Sequence, residues 1–129
     1  MKPSVSSRLA YWLLKDIDKA IRDYDMIQDG DHVAVAVSGG KDSLSLLQLL
    51  DHRIKNSKEK YQLTAIHVNG DSNGPNVQIH RPLAEWFEDA GYEAKIVDMI
   101  IPESEVIPMD CSRCSWNKRR TIFEAAHKM

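Results

Sequence analysis

Apolar residues follow two alternating rhythms along this chain. From Ser4 to Ile27 they recur every three or four positions, at Leu9, Leu13, Ile17, Ala20 and Tyr24. Arg8, Lys15, Asp16, Asp18, Lys19 and Asp23 fill the gaps, so the spacing predicts one amphipathic helix. Ser6 and Ser7 are good caps for its start, and Gln28-Asp29-Gly30-Asp31 turns it off. His32 to Val37 is then apolar at nearly every position, which predicts a parallel strand covered on both faces. Helical spacing returns from Asp42 to Lys55, with Leu44, Leu47, Leu50 and Ile54 on the core face and Leu46 beside it. Gln62 to Val68 is a second apolar, β-branched run, ended by the loop Asn69-Gly70-Asp71-Ser72-Asn73-Gly74-Pro75. A third helix is predicted with Pro82 in its first turn, Leu83, Trp86, Phe87 and Ala90 on its apolar face, and Gly91 just past its end. A third strand spans about Glu93 to Ile100, a loop with two prolines follows to Asp110, and a last helix runs from Cys111 toward Met129.

Alternating strands and helices predict an α/β fold: an open parallel sheet with flanking helices, residues 31–129, preceded by an N-terminal helix within residues 1–30. Right-handed crossovers stack consecutive strands as neighbours. Ligands in such sheets bind beyond the carboxyl ends of the strands. The loops after all three strands lie at that edge.

Composition adds bounds. With 129 residues, 43% hydrophobic and 28% charged, the chain is long enough for one domain with its own core. A net charge of −2 gives no global basic signature, so any RNA contact must come from a local patch. No apolar run approaches the ~20 residues of a membrane span, and the N-terminus lacks a signal-peptide core, so a cytoplasmic protein is expected.

Between the first strand and second helix lies Ser38-Gly39-Gly40-Lys41-Asp42-Ser43. Glycines let the backbone bend there, and the first amides and dipole of the helix favour an anion. Gly39, Gly40 and the amides after them are expected to cradle phosphates, with Ser38 and Ser43 hydroxyls bonding the oxygens. Lys41 offsets their charge, and Asp42 holds Mg²⁺ directly or through water. Asp42 and Ser43 are also good helix caps, a role compatible with ligand binding. The common P-loop spacing Gly-x-x-x-x-Gly-Lys-Ser/Thr is absent.

The chain's two cysteines, Cys111 and Cys114, form a C-x-x-C pair. The spacing suits a metal site, a redox pair or two small buried residues, and two thiolates alone fill neither a zinc nor an iron–sulfur site. Arg113, Lys118, Arg119 and Arg120 make a basic run beside them, either a solvated face or a contact for the RNA backbone. The histidines show no metal spacing, and His32, His52 and His80 read as ordinary polar positions. Trp12, Trp86 and Trp116 sit at apolar positions and are assigned to the core.

The six-residue motif resembles the PP-loop of N-type ATP pyrophosphatases. Over nearly its whole length the chain resembles the front half of the TtcA family, the tRNA 2-thiocytidine synthetases. The matching residues are Ala20-Ile21-x-Asp23-Tyr24-x-Met26-Ile27-x-x-Gly30-Asp31, then Val35-Ala36-Val37 with the PP-loop, Gly91-Tyr92-x-Ala94-Lys95-Ile96-Val97, and Cys111-Ser112-x-Cys114-Ser115 with Arg119-Arg120. Lysidine synthetases carry a similar loop but lack this cysteine pair, and the thiolases related to TtuA begin with zinc-binding cysteines, none of which precedes Cys111 here.

The resemblance implies a Rossmann-like fold of the adenine nucleotide alpha hydrolase type. It implies tRNA thiolation: ATP adenylates the C2 oxygen of a cytosine with loss of pyrophosphate, and sulfur displaces AMP. It implies ATP, Mg²⁺ and a [4Fe–4S] cluster as cofactors, with Cys111 and Cys114 as two of three cluster ligands and, with Asp42, as the catalytic and metal-binding residues. Trp116, beside Cys114, would shield the cluster. The implied partners are tRNA, a sulfur donor (a cysteine desulfurase or sulfide) and a second copy of the chain, with no membrane. The family's pattern also places a fourth strand beside the first, so the sheet is expected to be incomplete: the chain is truncated, a partner completes the sheet, or the chain is a shortened relative. Thr121 stands where the family has a glycine, and Asn69 where an aspartate often ends the second strand. Two other readings stay open: a PP-loop ligase whose cysteines bind zinc, and a nucleotide-binding module without a complete active site.

Overall fold

The computed structural model describes residues 8–38, 40–74 and 81–129. Seven elements follow in order: α1 (Arg8–Tyr24), β1 (His32–Ala36), α2 (Lys41–Asn56), β2 (Gln62–Asn69), α3 (Arg81–Ala90), β3 (Ala94–Asp98) and α4 (Cys111–His127). The three strands form one parallel sheet in the order β1-β2-β3, with Val35 opposite Ala65 and Asn69 opposite Asp98. The α/β alternation therefore folds as its pattern predicts.

The α1 to α3 side of the sheet holds the main core. Val35, Val37 and Ala65 pack there against Leu47 and Leu50 of α2 and Leu83, Phe87 and Ala90 of α3. On the opposite side Val68, Met99 and Met109 form a second cluster, joined by Cys114 and Ile122 of α4. Thr121 fastens α4 to the sheet, accepting the Ile100 N–H at 2.9 Å and donating to the Asn117 carbonyl at 2.7 Å. A threonine at that position is thus a structural fastener in this chain.

Four expectations need correction. Strand β1 is not covered on both faces: Val33, Val35 and Val37 face the main core, but Ala36 is exposed and Ala34 half-buried. The cause is topological, because α4 packs over β2 and β3. Second, the apolar stripe assigned to α1 is largely uncovered, with Leu9 and Tyr24 exposed and only Ala10 and Ile21 buried. The helix leans on α2, where the Asp18 carboxylate meets buried Arg53 at 2.6 Å. Its Ser6 and Ser7 caps lie outside the described residues, as does His80. Third, Trp12 and Trp116 are exposed; only Trp86 joins the core, stacked on Tyr92 at 5.4 Å. Fourth, Leu46 is exposed rather than beside the core, and Leu49 is buried instead.

The carboxyl edge of the sheet is tightly built. Gly70 leaves β2 with φ +151°, which side chains rarely adopt, and a Cβ there would lie 3.0 Å from Met99 Cβ and 3.2 Å from the Gly74 carbonyl oxygen, so glycine suits the position. The Met109 N–H donates to the Ser72 carbonyl at 2.7 Å, joining the loops that follow β2 and β3.

Candidate nucleotide site and cysteine helix

The phosphate loop opens where β1 leaves the ladder. Val37 still donates to Ile66, at 2.8 Å, but its carbonyl is met by a side chain, His67 Nδ1, at 2.7 Å. A carbonyl only accepts, so Nδ1 carries the proton and donates. His67 was missed in the sequence because the contact joins positions 30 residues apart and has no local signal.

Beyond Val37 two serines close the turn. Ser38 N–H donates to Ser43 Oγ at 3.2 Å, Ser43 Oγ–H donates to the Gly40 carbonyl at 3.2 Å, and Gly40 N–H donates to Ser38 Oγ at 3.3 Å. The two hydroxyl oxygens are 3.4 Å apart. Gly40 is the N-cap of α2, and no side chain caps the helix there. Neither Asp42 nor Ser43 serves as the cap, since the helix already begins at Lys41. The first-turn amides, which have no intrahelical acceptor, are left for an anion, and the helix dipole favours one. Lys41 and Asp42 are exposed beside them, and Gly39 lies outside the described residues.

This donor set fits a polyphosphate. Asp42 adds a negative charge where the anion would sit, a conflict that a divalent cation between carboxylate and phosphate removes. A Cβ on Gly40 would meet only Ser38 Oγ, at an ordinary 3.5 Å, and its φ of −78° suits any residue. The fold itself therefore does not demand glycine at position 40.

The cysteine helix starts over the neighbouring strands. Asp110 caps α4, its carboxylate accepting the Arg113 N–H at 2.8 Å. Cys111 is exposed and Cys114 half-buried, both as free thiols one turn apart on one face. Cys114 packs on Val68, Met99 and Met109, which places it at the carboxyl edge, on the sheet face opposite the main core. Among the described residues no group of three His, Cys, Asp or Glu side chains is gathered to hold a metal ion. The two thiols fit part of a cluster's ligand set and do not complete it.

The basic run divides. The Arg113 guanidinium is committed to Glu105, with Nη2 2.7 Å from Oε2 and Nε 2.9 Å from Oε1. That pairing holds the Glu105 carboxyl below its ordinary range. Glu105 was not singled out in the sequence, where it is one acid among many. Arg120 pairs loosely with Glu124 at 3.3 Å, Arg119 is exposed and Lys118 half-buried. Asn69 Nδ2 donates to Asp98 Oδ1 at 3.0 Å at the same edge.

Comparison with known proteins now decides the family. No protein-family model matches the chain. It is 35% identical over 133 residues to a tRNA-cytidine(32) 2-sulfurtransferase of Bdellovibrio bacteriovorus, which covers 98% of this chain and 50% of that protein. It is 37% identical over 135 residues to the enzyme of the same name from Dechloromonas aromatica, covering 100% and 46%. The chain is TtcA-like. Among solved structures, the U34-tRNA thiolase NcsA from Methanococcus maripaludis with its [4Fe-4S] cluster superposes with a TM-score of 0.58 at 25% identity, over 93% of this chain and 46% of that one. The PP-loop α/β fold expected from the motif is the fold observed. This TtcA-like chain spans about half the length of the curated relatives it matches.

Proposed function

We propose that this TtcA-like chain carries the ATP site and part of the sulfur-transfer site of a tRNA 2-thiocytidine synthetase. The observation that carries the reading is the joint placement of an uncapped, serine-closed loop and a C-x-x-C helix start at one sheet edge. Neither feature alone would single out this reaction.

ATP binds with its phosphates on the α2 amides, Ser38 and Ser43, its charge offset by Lys41 and by Mg²⁺ at Asp42. The cytosine C2 oxygen attacks the α-phosphorus, the α–β anhydride bond breaks, and pyrophosphate leaves with the negative charge that Lys41 and the helix dipole stabilise. A sulfur nucleophile then adds at C2, and AMP departs with the former C2 oxygen. Cys111 and Cys114 would supply two thiolates where sulfur must arrive; a [4Fe–4S] cluster needs a further ligand beside them. The donor of that sulfur is free sulfide, or a cysteine desulfurase whose persulfide adds at C2 and is then released by a thiol reductant that takes up the outgoing sulfur as a disulfide.

The exposed side of α1 and the single-neighbour strand β1 support a partner surface, with a second copy of the chain as its occupant. No described helix is long and apolar enough to cross a membrane. A tRNA substrate supports a cytoplasmic location.

The test is nucleotide analysis under anaerobic conditions with ATP, Mg²⁺, sulfide and unmodified tRNA. AMP and pyrophosphate formed only when tRNA is present, together with thiolated cytidine, support the reading. ADP and phosphate, or no nucleotide binding, overturn it. ATP bound without turnover favours a second reading, a nucleotide-binding module, which the two-thiol ligand set also supports.

A further inference from the structure

The face of α4 turned away from the sheet carries a regular series of side chains. Arg113, Trp116, Arg120, Phe123 and His127 recur at three- and four-residue steps, so they form one stripe along the helix. Half-buried Cys114 and buried Asn117 and Thr121 lie about 100° round the helix from it. Trp116 is 49% exposed and Phe123 74%. The Arg113 guanidinium lies 4.9 Å from the centroid of the indole and that of Arg120 lies 5.8 Å from it. Glu105 holds Arg113 in place from its far side.

We propose that this stripe is a stacking ladder for unpaired bases of an RNA strand, with Trp116 as its main platform and Phe123 as the second. The inference rests on the tRNA reading above and extends it to residues outside the basic run. Alternation of cation and aromatic ring is what single-stranded nucleic acid calls for: π faces for bases and positive charge for phosphates. The helix Cys111–His127 bears Arg113, Lys118, Arg119 and Arg120; Glu105 pairs with the first and Glu124 with the last, which leaves Lys118 and Arg119 to meet phosphates although the whole chain is net −2. A protein interface is the poorer occupant, because covering Trp116 would desolvate the arginines that flank it. Seven residues separate the two rings, a rise of about 10 Å, so two bases of one strand can reach them. The ladder begins within a turn of Cys111, so a strand laid along it delivers its next base to the cysteine end.

Binding of a labelled RNA hairpin with an unpaired loop, and of the same sequence fully duplexed, tests this by fluorescence anisotropy. Trp116→Ala is expected to weaken hairpin binding roughly tenfold, Trp116→Phe to retain most of it, and duplex binding to change little. The slope of log affinity against log salt should stay the same for Trp116→Ala and fall by about one for Arg119→Gln. Equal hairpin affinity of Trp116→Ala and wild type overturns the inference and leaves the thiolase reading intact. So does a Trp116→Ala or Phe123→Ala variant that changes oligomeric mass but not RNA affinity. Hairpin binding with the expected Trp116 dependence but no tRNA-dependent AMP supports the ladder and overturns the thiolase reading. A wild-type protein that binds neither RNA overturns both.

Discussion

Gly40→Ala separates what the fold needs from what the ligand needs. In the structure an added Cβ meets only Ser38 Oγ at 3.5 Å, and the backbone sits at φ −78°, ψ 162°, open to any residue. Restricting the unfolded chain should stabilise by about 0.4–1 kcal/mol. Replacing a glycine N-cap with alanine costs about 0.5–1 kcal/mol, because alanine shields the first amides and caps poorly. The two effects offset, so the melting temperature should move by no more than about 4 °C in either direction. Nucleotide binding is another matter, since the space beyond that Cβ is where phosphate must meet the loop amides. Displacing one or two charge-assisted hydrogen bonds, at about 1.5–3 kcal/mol each, predicts a loss of roughly 10- to 10⁴-fold in affinity. Calorimetric titration with a non-hydrolysable ATP analogue and Mg²⁺, beside a thermal melt, reads both quantities. An alanine variant that binds the analogue as tightly as wild type would refute the claim that this backbone approaches phosphate. A variant that melts much lower would refute the claim that the fold tolerates a side chain there.

Other consequences follow from specific contacts. His67→Leu removes the donor to the buried Val37 carbonyl and should weaken nucleotide binding about tenfold, whereas His67→Asn, whose amide lies near the Nδ1 position, should restore it; equal loss in both would make His67 a packing residue only. Asp18→Ala removes one of two carboxylates on buried Arg53, and because Asp18 is 44% exposed the loss should be about 1–2 kcal/mol, read by urea denaturation. The Glu105 carboxyl is held below its ordinary value of 4.5, so its contribution to the 101–110 loop is complete above that pH and disappears as pH falls further; an acid titration of the Glu105 carboxyl signal by NMR should show its midpoint below 4.5. Burial pushes the Tyr92 phenol up to about 12, so it favours the fold below pH 10 and loses that effect as pH rises toward 12; phenolate absorbance from Tyr92 should appear only with alkaline unfolding.

Local patterns carried the elements, and longer-range placement carried the surprises. Strand and helix periods located all seven elements, because each period reports which face of its own backbone is apolar. They could not report whether that face finds a cover. Leu9, Leu13 and Tyr24 have the right spacing, yet they stay exposed because α1 touches the body mainly through α2. Ala34 and Ala36 fit a doubly covered strand, yet no helix lies over them comparable to α2 on the other side. Trp116 looked like core by residue type, and only the rotation of α4 set by Asn117 and Thr121 turns it outward. The phosphate loop was legible because its chemistry is contiguous in the chain. His67 and Glu105 were not, because each acts on a partner that only the fold brings near.

The carboxyl end of β2 is where the two candidate half-sites are mechanically joined. Successive strand residues point to opposite faces, so three neighbours there serve different elements. His67 holds the β1 carbonyl from which the phosphate loop departs. Val68, on the other face, packs with Cys114, Met99 and Met109 beneath the cysteine helix. Asn69 ties β2 to β3 through Asp98 and hands its carbonyl to the Met99 N–H at 3.0 Å. A slip of one residue in the β2 register would exchange these faces, removing the support of both the loop and the cysteine helix together. The reaction proposed needs adenylation and sulfur delivery at the same carbon. The register of a single central strand is the simplest device that keeps the two chemistries in fixed relation, and it explains why neither half-site is built from its own segment alone.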